Sequence, residues 1–417
     1  MRIFKFGGAS IKDADAIRNV LHVLKSVGYD NSLIVASAIG KTTNALEAVI
    51  NAYFKKREEL KNAIQIVKNT HLEIANDLFE NKNHLVFDKI NVLFGEMEFF
   101  LSVNKSPNYN FVYDQVVCYG EIVSTTILNY FFNEQNIESI WIDARNMIKT
   151  DTTYRDGSVD WEKTENNIKN QIQSERLYIT QGFIGSDANH FSVTLGREGS
   201  DYSAAIFAYC LNAGSVTIWK DVPGVLNADP RYFDDTILLN HISYSEAIEL
   251  AFYGASVIHP KTLQPLQRKE IPLYVKSFEN PTLPGTTVSK GADLEPAVSC
   301  FIVKKEQLLV SFASKDFSFI MEHQVSEIFK KFAEKHIKVN VIQNSAISFT
   351  VCVEDKFCHF KELLEELKDE FKIKCDQDVS LYTIRHFTNE AAQKIIANKT
   401  VLLQQISQNT MQIVTKE

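Results

Sequence analysis

No run of 18 apolar residues occurs anywhere in the 417-residue chain, which leaves no candidate for a membrane-crossing helix. The apolar stretch around Arg2 and Lys5 is far too short for a secretory signal, so a cytoplasmic protein is expected. The six cysteines (118, 210, 300, 352, 358, 375) are scattered, with no CxxC pair and no HExxH. Reduced thiols are expected rather than a disulfide framework or a zinc site, and no metal-ligating residue is assigned. A long basic block is also absent and the formal net charge is −8, which disfavours nucleic acid as a main partner. With only 9 prolines and 16 glycines against 45% hydrophobic residues, the chain can bury substantial cores. Its length argues for two or three domains.

What is present alternates strands with helices. Arg2 to Phe6 reads as a strand closed by Lys5-Phe6-Gly7-Gly8-Ala9-Ser10, and Ile17, Val20, Leu21 and Leu24 mark the helix after it. Glycines let a backbone approach a phosphate closely, and the adjacent lysine supplies a compact positive charge. Ser32 to Ser37 is a second strand. The Gly40-Lys41-Thr42 that follows invites a P-loop reading, but Val35 stands where that motif needs glycine, and the reading is rejected. Residues 44–104 read as polar-faced helices, with His71 and His84 as surface or packing residues. A longer helix from Asp114 to Gln135 contains Gly120-Glu121. A buried glutamate costs free energy unless paired, so Glu121 calls for a cation, either an internal Lys or Arg or a substrate ammonium.

Strands at Ser139–Ile142 and Tyr178–Ile184 lead into the stretch that organises the chain, Thr194 to Ala205. Phe191 to Leu195 reads as a strand, two glycines open a tight loop, and a helix follows with Ala204, Phe207, Ala208 and Leu211 on one face. Ser200 is the expected N-cap and Asp201 sits in the first turn, where exposed amides favour an anion. Arg197 adds a planar fork of donors suited to a carboxylate or phosphate. The strand Ser215–Trp219 runs into Lys220-Asp221-Val222-Pro223-Gly224 and on to Arg231, the kind of strand exit where α/β sheets contact ligands. Helices carry Tyr253–Thr262, and Pro272–Val275 is a further strand. The alternation through residue ~280 argues for a largely parallel sheet covered on both faces. Beyond it, Leu308–Phe312, Val325–Phe332, Ile347–Val353, Phe360–Phe371 and Val379–Ile384 follow a β-α-β-β-α-β order, which is ferredoxin-like. The tail can add two short strands around Ser407-Gln408-Asn409.

These blocks, in this order, resemble a monofunctional aspartokinase of the amino-acid kinase family with small-molecule-binding ACT modules at the C-terminus. The expected architecture is a three-layer α/β catalytic domain over residues 1–285. An α+β ACT region over 286–417 follows, with one complete module and a shortened second one. The resemblance implies ATP-dependent phosphorylation of the β-carboxylate of L-aspartate, with Mg²⁺ accompanying the nucleotide. It implies Lys5 and Asp201 as catalytic, and Lys5, Phe6, Gly7, Gly8, Lys220, Asp221, Leu226, Arg231 and Ser256 on the nucleotide. Thr43, Glu121, Arg197, Gly199 and Ser200 would form the aspartate pocket, with Arg197 on a carboxylate and Glu121 on the ammonium. A homodimer through the ACT region and a lysine or threonine effector are further implications. The chain departs from the family pattern at Ala9, Glu198, Lys220, Leu226 and Ser256, where Thr, Gly, Thr, Tyr and Lys are usual. Those at Ala9, Glu198 and Ser256 motivate one alternative, a catalytically weak, amino-acid-sensing regulatory subunit; within the enzyme class the alternative is a kinase for another amino acid.

Overall fold

Alternation along the first strand sets the two faces of the main sheet. In β1 (Arg2–Phe6), Phe4 and Phe6 enter one apolar core while Ile3 and Lys5 lie on the opposite face, the period of two that a pleated strand imposes. The computed structural model describes residues 1–255, 258–291, 293–316 and 318–416. Two compact units emerge: Met1–Val225 with Leu238–Ile248 and Val257–Pro296, and Leu226–Ile237 with Glu249–Ser256 and Ala297–Glu417. Among the described residues no helix is long and apolar enough to cross a membrane.

In the first unit the core face of β1 and β2 (Ser32–Ala36) is covered by helices. Helix α1 (Ala14–Val27) starts where the Asp13 carboxylate accepts the Ala16 N–H at 2.8 Å, and it buries Ile17, Val20, Leu21 and Leu24. The long helical insertion comprises α2 (Thr42–Lys55), α3 (Leu60–Leu78), α4 (Leu85–Val103) and α5 (Tyr109–Glu134). His71 of α3 is fully buried, its Nδ1 lies 2.8 Å from the Val67 carbonyl oxygen, and burial lowers its pKa. It is a packing residue. His84 caps α4, its Nδ1 accepting the Val86 N–H at 3.1 Å.

After β3 (Ile140–Trp141), α6 (Ala144–Met147) and α7 (Trp161–Gln171) comes β4 (Leu177–Gln181). The sequence reads one strand from Tyr178 to Ile184, but the chain leaves the sheet at Gly182 and Phe183. It then forms a separate antiparallel ribbon from β5 (Ile184–Ser186) and β6 (Ser192–Thr194). The constraint comes from a distant residue: a Cβ at Gly182 would lie 2.6 Å from the Ser200 Cβ, so only glycine permits this turn beneath α8 (Gly199–Leu211). Next come β7 (Ser215–Lys220), β8 (His241–Ser243), α9 (Tyr244–Tyr253), α10 (Pro260–Arg268), β9 (Leu273–Ser277) and β10 (Thr286–Ser289). The sheet order is β3-β4-β2-β1-β7-β9-β10-β8, and every pair is parallel except β9–β10. Parallel pairing brings the carboxyl ends of β1, β2, β4 and β7 to one edge.

The second unit is built on one antiparallel sheet. Its elements are β11 (Cys300–Ser314), α11 (Glu322–Glu334), β12 (Lys338–Asn344), β13 (Ser348–Glu354), α12 (Phe360–Leu367), β14 (Phe371–Arg385), α13 (Asn389–Ile396), β15 (Thr400–Ser407) and β16 (Thr410–Lys416). The strand order is β12-β13-β11-β14-β16-β15. Both β11 and β14 run 15 residues, far longer than the apolar alternation suggests. Their one halves close a core around Phe312, Phe332, Phe349 and Phe371, and their other halves a core around Tyr382, Ile384, Ile395 and Ile413. Two helix-covered halves therefore share two continuous strands.

Candidate active site

The residues that come together first are on opposite layers. Lys5, facing away from the aromatic core of β1, meets Asp201 from the first turn of α8, with Nζ 2.6 Å from Oδ1. Lys220 at the end of β7 stands 3.8 Å from the other oxygen of the same carboxylate. The pair is nearly excluded from water, with side chains 11% and 3% exposed. Water competes little for such a pair, and low polarity strengthens it.

The loops around this pair are shaped by close backbone approach. A Cβ on Gly8 would lie 2.7 Å from the Gly40 carbonyl oxygen, and the Gly40 N–H donates to the Gly8 carbonyl at 3.1 Å. The turns after β1 and β2 are thereby locked together. At the start of α8 the sequence-based expectation needs correction. Ser200 is not the N-cap; Glu198 is, in a left-handed conformation (φ 53°) and without a side-chain cap. The Asp201 N–H donates to the Glu198 carbonyl oxygen at 3.0 Å, so the helix begins two residues earlier than expected and Ser200 lies in its first turn. The Glu198 Oε2 is buried, with no hydrogen-bond partner among the described residues.

The other end of the cleft belongs to α5. Glu121 is 2% exposed, and its Oε2 has no hydrogen-bond partner among the described residues. Burial pushes its carboxyl up to about 8, against the opposing pull of the Ala38 backbone N–H. Among the described residues no Lys or Arg is paired with it. Gly120 beside it allows α2 to pack close, since a Cβ would already lie 3.1 Å from Ala38 and 3.2 Å from Thr42. Two turns earlier on α5, Asp114 is fully buried and accepts the Arg155 N–H (2.9 Å), the Thr194 N–H (2.9 Å) and the Thr194 hydroxyl (2.8 Å). Burial still pushes it up to about 6.

One cleft of about 500 Å³ is lined by Lys5, Gly8, Thr43, Glu121, Arg197, Gly199, Ser200, Asp201 and Lys220, nine of the residues singled out by sequence. Phe6 does not reach it; its ring is buried and stacked on Trp219 at 6.1 Å. Gly7 lies beside Lys5 in the loop, where a Cβ would be 3.3 Å from Nζ, and Asp221 is exposed just past β7. Leu226 and Arg231 fall in the second unit, where the Arg231 guanidinium is paired with Asp229 (Nη2 to Oδ2, 2.6 Å). Ser256 lies outside the described residues. Sequence reasoning missed Ser37, Tyr113, Arg155, Phe183 and Thr194, which line the same cleft. The available signal was Asp114, a second acidic residue on the same helix face as Glu121 and seven positions before it.

A strand-end crevice holding a buried lysine–aspartate pair, a helix N-terminus and an unneutralised carboxylate is suited to an anionic group at one end and a cation at the other. The amino acid kinase family model matches residues 1–277. Lysine-sensitive aspartokinase 3 of Escherichia coli (strain K12) is 31% identical over 363 residues, 84% of this chain and 78% of that protein. The structure of E. coli aspartokinase III in complex with lysine and aspartate superposes with a TM-score of 0.85 at 26% identity, covering 99% of this chain and 95% of that one. The same enzyme in complex with aspartate and ADP gives 0.82 at 25% identity over 100% and 96% of the two chains. The chain belongs to the amino acid kinase family and, within it, to the aspartokinases.

Proposed function

We propose that this protein transfers the γ-phosphoryl group of ATP to the β-carboxylate of L-aspartate, giving 4-phospho-L-aspartate at the head of the aspartate-derived amino-acid pathway. The observation that carries this reading is the buried Glu121 carboxyl, one oxygen of which has no partner among the described residues, in the same cleft as the Lys5–Asp201 pair. A free ammonium supplies the missing cation, and an acylated amine cannot.

Phosphoryl transfer asks mainly for positioning and charge neutralisation. Lys5 bridges the transferring group and stabilises the charge that develops on its oxygens, with the Gly7 and Gly8 amides beside it. Asp201 orients Lys5. It need not act as a base, because a carboxylate acceptor is already ionised at neutral pH. Arg197 takes the α-carboxylate through its planar fork, Glu121 takes the ammonium, and Thr43, Gly199 and Ser200 complete the pocket. Lys220 and the segment it opens, Asp221 through Leu226 to Arg231, serve the nucleotide; for Arg231 to reach a phosphate, its pair with Asp229 must open. Ser256 is assigned to the same role from its place in the sequence.

Among the described residues no group of three His, Cys, Asp or Glu is arranged to hold a metal. Mg²⁺ would enter with ATP, held mainly by phosphate oxygens and water, and neutralise phosphate charge. We place the reaction in the cytoplasm. We assign the second unit to homodimer formation, as an ACT region with one whole and one shortened module, and to sensing of lysine or threonine. The test is trapping of acyl phosphate with hydroxylamine in the presence of Mg²⁺, ATP and L-aspartate. Aspartyl hydroxamate is expected, falling when lysine or threonine is added if the second unit senses that amino acid. No product from any amino acid would overturn the kinase reading and favour a regulatory subunit.

A further inference from the structure

Arg155 sits on the loop between α6 and α7 in the left-handed region, φ 73°. That conformation costs an ordinary residue free energy and glycine almost none. The loop is nevertheless pinned from both sides: the buried Asp114 carboxylate takes the Arg155 N–H, and the Gly157 N–H donates to the Thr194 carbonyl at 2.9 Å. The strained residue is thus held in place by a buried charge. Its guanidinium lies 4.3 Å from the ring centre of Tyr113, and the Tyr113 hydroxyl donates to Glu47 at 3.0 Å, which fixes the ring. Stacking uses the face of a guanidinium and leaves its in-plane N–H donors for a planar anion. Arg155 and Tyr113 line the cleft that also contains Glu121 and Arg197. Tyr113, Asp114 and Glu121 all belong to α5, so this arginine is mounted on the helix that carries the ammonium-binding carboxylate and not on the strands that present Lys5 and Lys220.

We propose that Arg155 is an acceptor-specificity residue, sharing the α-carboxylate of the amino-acid acceptor with Arg197 while Glu121 holds its ammonium. The inference rests on the function proposed above. A strained, aromatic-backed arginine at this place selects acceptors that carry a carboxylate beside the amine.

Arg155→Gly removes the guanidinium and suits the backbone, so the variant folds with unchanged or higher thermal stability. Its KM for L-aspartate rises by about tenfold or more, the loss expected for a charge-assisted hydrogen bond. The KM for ATP stays as in the parent, and Arg155→Lys falls between the two because it keeps charge without the planar fork. Calorimetric binding of L-aspartate without nucleotide, measured on parent and variant, reads the same contact independently of turnover. An unchanged aspartate KM and affinity in Arg155→Gly, a shift confined to ATP, or no aspartate binding by the parent would each overturn the assignment. A parent that turns over aspartate beside an unaffected variant would sink this inference alone. A parent that binds aspartate, loses affinity on Arg155→Gly, and yet makes no acyl phosphate would sink the proposed function and leave Arg155 as an amino-acid ligand.

Discussion

The two ends of the cleft are built on opposite principles. At the Lys5 end, charge is neutralised within the protein: a lysine and an aspartate from different layers lie 2.6 Å apart, with a second lysine at 3.8 Å. At the α5 end a carboxylate is buried just as deeply and left with an open oxygen. The first arrangement is preorganised and stays put while charge shifts in the phosphate. The second is incomplete until an acceptor brings its ammonium, so it discriminates: a ligand lacking the amine leaves the carboxyl protonated and its open oxygen without a partner. Rate is expected to depend on one end and recognition on the other.

Substitutions can break this division. Lys5→Arg keeps a cation beside Asp201 but moves it, and should lower kcat by about a hundred- to a thousandfold with little change in the KM for aspartate. Steady-state kinetics checks it, and a KM effect of that size would erase the contrast. Glu121→Gln should do the reverse, raising the KM for aspartate by about ten- to a hundredfold while the KM for ATP holds.

The pH dependence sharpens the comparison. Burial raises the Glu121 carboxyl from its ordinary 4.5 to about 8, so the folded protein holds a proton there that the unfolded chain has released. Stability from this group is fully present below 4.5 and is lost as pH rises toward about 8. Denaturant titrations should show that decline in the parent and not in Glu121→Gln. Because ammonium binding favours the ionised form, aspartate affinity should increase as pH rises toward 8, and binding at pH 7 should release a proton. A smaller effect is expected at Gly182. Alanine there meets Ser200 at 2.6 Å and should cost about 1–3 kcal/mol by overpacking, measurable as a lower unfolding midpoint.

Much of this site was legible in the sequence because its parts are local. A strand followed by two glycines, or a helix with Asp201 in its first turn, carries its own signature, and parallel pairing brings such ends to one edge. Arg155 was not legible, since nothing local marks a left-handed arginine and its anchor, Asp114, is 41 positions away. The break at Gly182 was missed for the same reason: the atom that forbids a side chain there belongs to Ser200. In the second unit, the polar runs Lys304-Lys305-Glu306-Gln307 and Asp376-Gln377-Asp378 interrupt the apolar alternation. They are the middle parts of β11 and β14, whose neighbours in the sheet supply the order that the pattern does not.

The most direct test of the division between the two ends is hydroxamate formation from L-aspartate against N-acetyl-L-aspartate, at equal concentration with Mg²⁺ and ATP. The account predicts product from L-aspartate and essentially none from the acylated compound, which brings no ammonium to Glu121. Comparable product from both would contradict it, because the buried carboxylate would then have no part in choosing the acceptor.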